Sequence, residues 1–197
     1  IDVGSKDEVG QLMAAMQRMQ SQVQSVIEAQ AEMATRHEAG EISYRMDETA
    51  FPGDYGRMVR DTNTLVGAHI AVKMRAVEVM QRYAIGDLSV DMDRLPGEKA
   101  KITEAMDATK ANLRAISSEI RHLVEAAAEG DFTVRGDEQH FQHDFRIMIE
   151  GLNGLMSTAD GNLSTLSGLL QASARGDLTA RMDGDFHGVF ARMRDDA

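Results

Sequence analysis

The sequence predicts an all-α chain of long helices in series, joined by extended connectors and associating side by side. Three observations predict it. One eight-residue phrase recurs four times, as "GEISYRMD" (40–47), "GDLSVDMD" (86–93), "GDFTVRGD" (130–137) and "GDLTARMD" (176–183). The long stretches between these connectors lack proline and carry apolar residues at alternating steps of four and three. The connectors themselves, at about 12–14 residues, are longer than a tight helical hairpin needs.

The phrase opens at Gly40, Gly86, Gly130 and Gly176, at intervals of 46, 44 and 46 residues. A period near 45 implies an array of small units, each too short to bury a good core alone. The elements follow in order: helix 7–39, connector 40–53, helix 54–85, connector 86–97, helix 98–129, connector 130–143, helix 144–175, connector 176–188, and the start of a further helix. The first helix carries Val9, Leu12, Met16, Met19, Val23 and Val26, a series that weakens at Gln30. The second carries Met58, Thr62, Leu65, His69, Val72, Ala76, Val79 and Tyr83. The third runs Ile102, Met106, Thr109, Leu113, Ile116, Ile120, Leu123, Ala127. The fourth runs Ile149, Leu152, Met156, Ala159, Leu163, Leu166, Leu170. Such seams favour helix association over an isolated amphipathic face.

Each phrase opens with glycine where a helical stretch should be capped. Both prolines, in "FPGDYG" (51–56) and "LPGEKA" (95–100), mark turns before the next helix. An extended connector of this length spans roughly 40 Å at most, whereas half of each helix, at 1.5 Å per residue, spans roughly 24 Å. The connector can therefore climb back along one helix and start the next parallel to it, and parallel helices are favoured. Positions two and six after the glycine supply the anchors such a connector needs: Ile42 and Met46, Leu88 and Met92, Phe132, and Leu178 and Met182. Gly136 leaves the Gly130 copy without its second anchor. A helix-loop-helix cap with one buried leucine is the plainer reading; four copies with the same anchor positions favour the docked connector.

Composition narrows the function. Absent cysteine excludes disulfides and thiolate chemistry, and no apolar run approaches the roughly 18–20 residues of a membrane span. The net charge of -11, without basic clusters, disfavours nucleic acid and anionic membrane surfaces as partners. Fourteen Met and no Trp suit helical bundles with adaptable packing. The opening residues "IDVGSKDEVG" look like neither a signal peptide nor a natural start, so the chain reads as part of a longer protein.

With these residues in view, the chain resembles the HAMP domains of bacterial receptors. "DEVGQLMAAMQRM" (7–19) is similar to the start of that family's second helix, with Asp7, Glu8 and Gly10 in its motif. "GDLTARMD" is similar to the family connector, and "GRMVRDTNTLV" (56–66) and "IEGLNGLM" (149–156) to further parts of the second helix. The resemblance implies a parallel homodimeric coiled coil, in which two chains form four-helix bundles stacked in tandem. It divides the chain into the C-terminal helix of a first unit (1–24), three units (25–70, 71–114, 115–160) and the beginning of a fifth (161–197). It also implies that Glu8 holds a connector through a backbone hydrogen bond. The later copies depart from the pattern: the Asp-Glu pair is missing, Asp91 stands where the others carry Arg, and Gly136 stands at an anchor.

Other candidate sites are weaker. His140 and His143 are spaced as possible metal ligands, but no third ligand is placed and a solvated connector end is the expected state. His69 lies on a seam where it could sense pH or bind haem iron, although a packed histidine is the plainer state. His187 reads as a turn residue, and Thr62 and Thr109 as register-setting seam residues. No nucleophile, phosphate loop or paired carboxylate suggests an enzyme, and no cofactor is expected.

The function expected is signal relay: bistable bundles pass a conformational change from an upstream sensor or transmembrane segment to a downstream signalling domain of the same chain. By analogy with the family, the parent is an inner-membrane chemoreceptor and this segment is cytoplasmic. The alternative is a helical-bundle module that binds haem or a small ligand.

Overall fold

A computed structural model of the chain describes residues 8–196. Its elements are α1 (Glu8–Glu38), α2 (Asp54–Ala84), α3 (Ala100–Ala128), α4 (His143–Ala174) and α5 (Val189–Asp196), with short 3-10 turns at Glu48–Ala50, Gly97–Lys99 and Glu138–His140. No strand occurs among the described residues. The fold is all-α, with helix limits close to those read from the sequence. The 3-10 turns leave no mark in the apolar periodicity. Two of them start where an aspartate caps the backbone, Asp47 accepting from the Thr49 N–H and Asp137 from the Gln139 N–H.

The phrase glycines end α1 to α4 by one mechanism. Gly40, Gly86, Gly130 and Gly176 adopt φ of 92°, 81°, 84° and 88°, a left-handed backbone open to glycine at no steric cost. The next residue's N–H then reaches back to a carbonyl five positions earlier: Glu41 to Arg36 at 2.9 Å, Asp87 to Arg82 at 2.9 Å, Asp131 to Ala126 at 2.9 Å and Asp177 to Ala172 at 3.0 Å. This is the Schellman closure, which satisfies the last helical carbonyls.

The chain divides into two compact units, one through Met92 and one from Asp93. In the first, Val26 and Met33 of α1, Met46 of the connector and Val59 of α2 form a core flanked by Ala29, Tyr44, Phe51, Tyr55 and Val66. The helices run parallel: Val26 shares this core with Val59, while His37, further along α1, shares a cleft with Val66, His69 and Ile70, further along α2. Val79, Tyr83 and Met92 are also buried. In the second unit, Ile116 of α3, Phe141 of the connector and Ile149 of α4 form the core, with Ala115, Ile120, Phe145 and Leu152 against it. Buried Thr103, Val59 and Ile149 occupy matching places near the starts of their helices. Each lies 27 residues before the next phrase glycine, Thr103 before Gly130, Val59 before Gly86 and Ile149 before Gly176.

The seams read from sequence distribute unequally. The α3 series is buried or half-buried throughout. On α2, Met58 and Leu65 (60% exposed) face outward, and the contact with α1 is made one residue later, by Val59 (0% exposed) and Val66. The α2 surface is thus apolar over two adjacent stripes, and the chain itself covers one. On α1, Val9, Leu12, Met16, Met19 and Val23 are exposed and Val26 is buried. On α4, Ile149 and Met156 are buried while Leu163 and Leu170 are exposed.

Candidate relay site: the docked connector

The second anchor of each phrase lies inside. Met46, Met92 and Met182 are almost wholly buried, at 2–3% exposure. In the Gly130 copy the anchor is absent for a steric reason. A Cβ on Gly136 would stand 2.8 Å from Ile149 Cγ2, 3.0 Å from Glu119 Oε1 and 3.2 Å from Leu123 Cδ1, so helix side chains already fill the place a connector methionine takes elsewhere. The first anchors are nearer the surface: Leu88 and Phe132 are half-buried, Ile42 is exposed and Leu178 is 74% exposed.

The connector backbone is held at the second anchor by a helix side chain. Asn63 of α2 accepts from the Met46 N–H at 3.1 Å through Oδ1 and donates to the Met46 carbonyl at 2.8 Å through Nδ2. Asn153 of α4 makes the same pair with Gly136, at 2.7 and 2.9 Å. A single amide thus satisfies both backbone groups, as a neighbouring strand would. Asn63 and Asn153 each lie 17 residues beyond the anchor position they hold. That shared spacing was the available signal for a role the sequence reading did not assign. On the α3 side, Glu119 Oε1 also accepts from the Asp137 N–H at 2.9 Å.

The Gly86 copy is held differently. The asparagine position there, four residues after Thr103, is Asp107, which pairs with Arg94. Thr103 Oγ1 donates to the Asp93 carbonyl at 2.7 Å and accepts from the Leu95 N–H at 3.4 Å.

The phrase arginine has a repeated role. Arg45 donates to the Ile42 and Tyr44 carbonyls, Arg135 to those of Phe132 and Val134, and Arg181 to those of Leu178 and Ala180, at 2.6–3.1 Å. Asp91 cannot do this. In its copy the Tyr83 hydroxyl donates to the Val90 carbonyl at 3.1 Å, and Arg75 to the Asp91 carbonyl at 3.3 Å. Val90 matches Tyr44, Val134 and Ala180, so the fourth position after the glycine is capped in every copy. In the Gly40 copy His37, placed as Tyr83 is, also contacts the Tyr44 carbonyl at 3.1 Å.

The phrase hydroxyls belong to local turns. Asp87, Asp131 and Asp177 each accept from the N–H and hydroxyl of the residue two positions on, Ser89, Thr133 and Thr179. These hydroxyls hold the three carboxyls below their ordinary value. Glu41 of the first copy pairs instead with Arg36, which also lies over the Tyr44 ring at 4.4 Å.

The remaining candidates are dispersed. Glu8 is exposed and Gly10 buried, and Asp7 lies outside the described residues. His69 is exposed and borders a cleft of about 420 Å3 with His37, Ile42, Leu65, Ile70 and Lys73. His140 ends a 3-10 turn and His143 opens α4, so they do not share a helix face, although both border one cleft of about 490 Å3. His187 is exposed in the last connector. Thr62 and Thr109 donate to the carbonyls of Met58 and Ala105, each at 2.9 Å. No helix among the described residues is long and apolar enough to cross a membrane.

Parallel helices, a backbone-clamped connector and a period near 45 residues define a tandem array of helix–connector–helix modules. Comparison with known families gives that class its name. Residues 1–25 and 140–197 match the HAMP domain, and residues 72–114 match HAMP N-terminal domain 3. The chain belongs to the HAMP domain family and carries the domain in tandem. It is also similar to the methyl-accepting chemotaxis protein McpB of Pseudomonas aeruginosa, at 24% identity over 88% of this chain and 45% of that relative. The chain thus spans less than half the length of the curated relative it matches.

Proposed function

We propose that the chain is the relay segment of a chemoreceptor-type protein, two copies pairing in parallel to complete four-helix bundles. Its units are 1–24, 25–70, 71–114, 115–160 and 161–197. The observation that carries the reading is the asparagine clamp: α2 and α4 each hold the backbone of the connector that precedes them, so rotating the helix moves the connector. Two packings a few kcal/mol apart suffice for a switch, because a small bias from one end redistributes their populations. The outward stripe of Met58 and Leu65, with Ile42 beside it, offers the second copy an apolar face. The relay joins an upstream sensor to a downstream signalling domain in an inner-membrane receptor, on its cytoplasmic side, without chemistry of its own.

Light scattering across a dilution series, with spin-label distances from position 113, tests this. A dimer with the two labels facing each other is expected. A monomer at all concentrations, or labels at opposite ends, would remove the parallel bundle.

A further inference from the structure

Every connector ends with a left-handed residue two positions after an apolar one. After Phe51, Leu95 and Phe186 that residue is Gly53, Gly97 and Gly188, with φ of 60°, 58° and 60°. After Phe141 it is His143, at φ 50°, the one non-glycine residue with positive φ among the described residues. Glycine takes this conformation freely, whereas a side chain is strained in it. The chain therefore places an imidazole where three sibling positions place nothing, and strain of this kind points to a use for the side chain.

The surroundings suggest the use. His143 and His140 border one cleft of about 490 Å3 together with Asn112, Asp144 and Phe145. The His140 ring packs edge-on against buried Phe141, with centroids 5.2 Å apart, which limits how it can turn. Both imidazoles are exposed, and the chain around them carries a net charge of -11. Among the described residues no three imidazole, thiol or carboxylate groups are arranged to hold a metal ion together. Any site here is an open one, with water completing the coordination.

We propose that His140 and His143 form a two-imidazole site for a borderline divalent transition-metal ion, of the class of Zn2+, Ni2+ and Cu2+. Imidazole nitrogen suits these ions, whereas Mg2+ and Ca2+ require oxygen cages that the cleft does not offer. A bound ion ties the 3-10 turn Glu138–His140 to the first residue of α4, bracing the helix start that backbone strain weakens. The inference does not depend on the relay reading.

The test titrates the full chain with Cu2+ and with Zn2+, comparing wild type with His143→Gly and His140→Ala. Wild type is expected to bind one ion with micromolar affinity, and Cu2+ electron paramagnetic resonance to show two nitrogen ligands. His143→Gly, whose backbone is relieved, is expected to unfold at a higher temperature and yet bind at least tenfold more weakly, with one nitrogen. Zn2+ is expected to raise the melting temperature of wild type and leave that of His143→Gly unchanged. Absence of binding, equal affinity of His143→Gly, or a copper spectrum without nitrogen ligands would overturn the site. Equal uptake by all three proteins would assign the ion to scattered carboxylates, with the same consequence.

Discussion

α3 and α4 are successive helices of the same unit, 29 and 32 residues long, built from different material. α3 contains eight alanines and no glycine, and its apolar series is buried or half-buried along its length. α4 carries glycine at 151, 154, 161 and 168, and an added Cβ at any of them meets nothing within 4 Å. Each interior glycine costs about 1 kcal/mol of helix stability relative to alanine. The chain thus sets a stiff rod beside a pliant one of similar length. Under the proposed relay, the first would transmit a rotation and the second would yield to one.

The connectors on their N-terminal sides differ in the opposite sense. The one before α4 is clamped through both backbone groups of Gly136 by Asn153. The one before α3 is held through Thr103 and by the exposed pair of Arg94 and Asp107.

Substitution can break this contrast. Replacing Gly154, Gly161 and Gly168 together by alanine is expected to stabilise α4 by up to about 3 kcal/mol. The check is thermal unfolding together with amide exchange along α4. Destabilisation instead would mean that another surface approaches the glycines closely, and that packing, not pliancy, distinguishes the two helices.

A smaller effect separates the two kinds of connector. Asn153→Ala removes two hydrogen bonds and leaves the buried Gly136 N–H unpaired, while the Gly136 carbonyl keeps its bond from the Glu138 N–H, an expected loss of about 1–3 kcal/mol. Asp107→Ala breaks an ion pair at the surface and is expected to cost less than about 1 kcal/mol. Urea unfolding of both variants measures the difference, and equal losses would erase the distinction between the connectors.

The smallest effect is on pH. The ordinary value for the phrase aspartates is 3.8, and hydroxyl donors hold Asp87, Asp131 and Asp177 below it. A depressed folded-state value contributes stability that is complete above 3.8 and is lost as the pH falls through the folded-state value. Acid is therefore expected to free the amides of Ser89, Thr133 and Thr179 only below about pH 4. The Gly40 copy, with Glu41 in place of that aspartate, makes its turn at Asp47 instead, which accepts from the N–H and hydroxyl of Thr49 and is likewise held below its ordinary value, so the Thr49 amide is expected to loosen in the same range. Amide exchange across an acid series would show it, and loosening already at pH 6 would remove the aspartates as the cause.

Much of this architecture is legible in the residues alone. Glycine after each heptad stretch locates the helix ends because few other residues close a Schellman turn without strain. The connector length leaves room for parallel helices. What periodicity cannot reveal is which of two neighbouring apolar stripes meets the helix beside it: the alternating steps select Met58, whereas the residue buried against α1 is its neighbour Val59. Nor can it show that Leu123 and Ile149 close the space at Gly136, since that depends on where three segments meet. Lys110 is buried on α3 where apolar residues would be expected, and no sequence pattern announces it. The asparagine clamp is hard to read from sequence because its only mark is a matched distance between two common residues, Asn63 and Asn153 each 17 positions beyond its anchor.

The interval of 27 residues from Val59, Thr103 and Ile149 to the following glycines behaves as a ruler. The two-residue difference between the 44- and 46-residue repeats falls wholly outside it, in the connectors. At 1.5 Å per residue the ruler measures roughly 40 Å and seven and a half helical turns. Loop trimming is therefore free of phase error, whereas one residue gained inside the ruler would swing everything beyond it by about 100°. Arrays of this kind can be lengthened or shortened by whole cassettes, and a cassette cut at its glycines carries its own angular setting to wherever it is spliced.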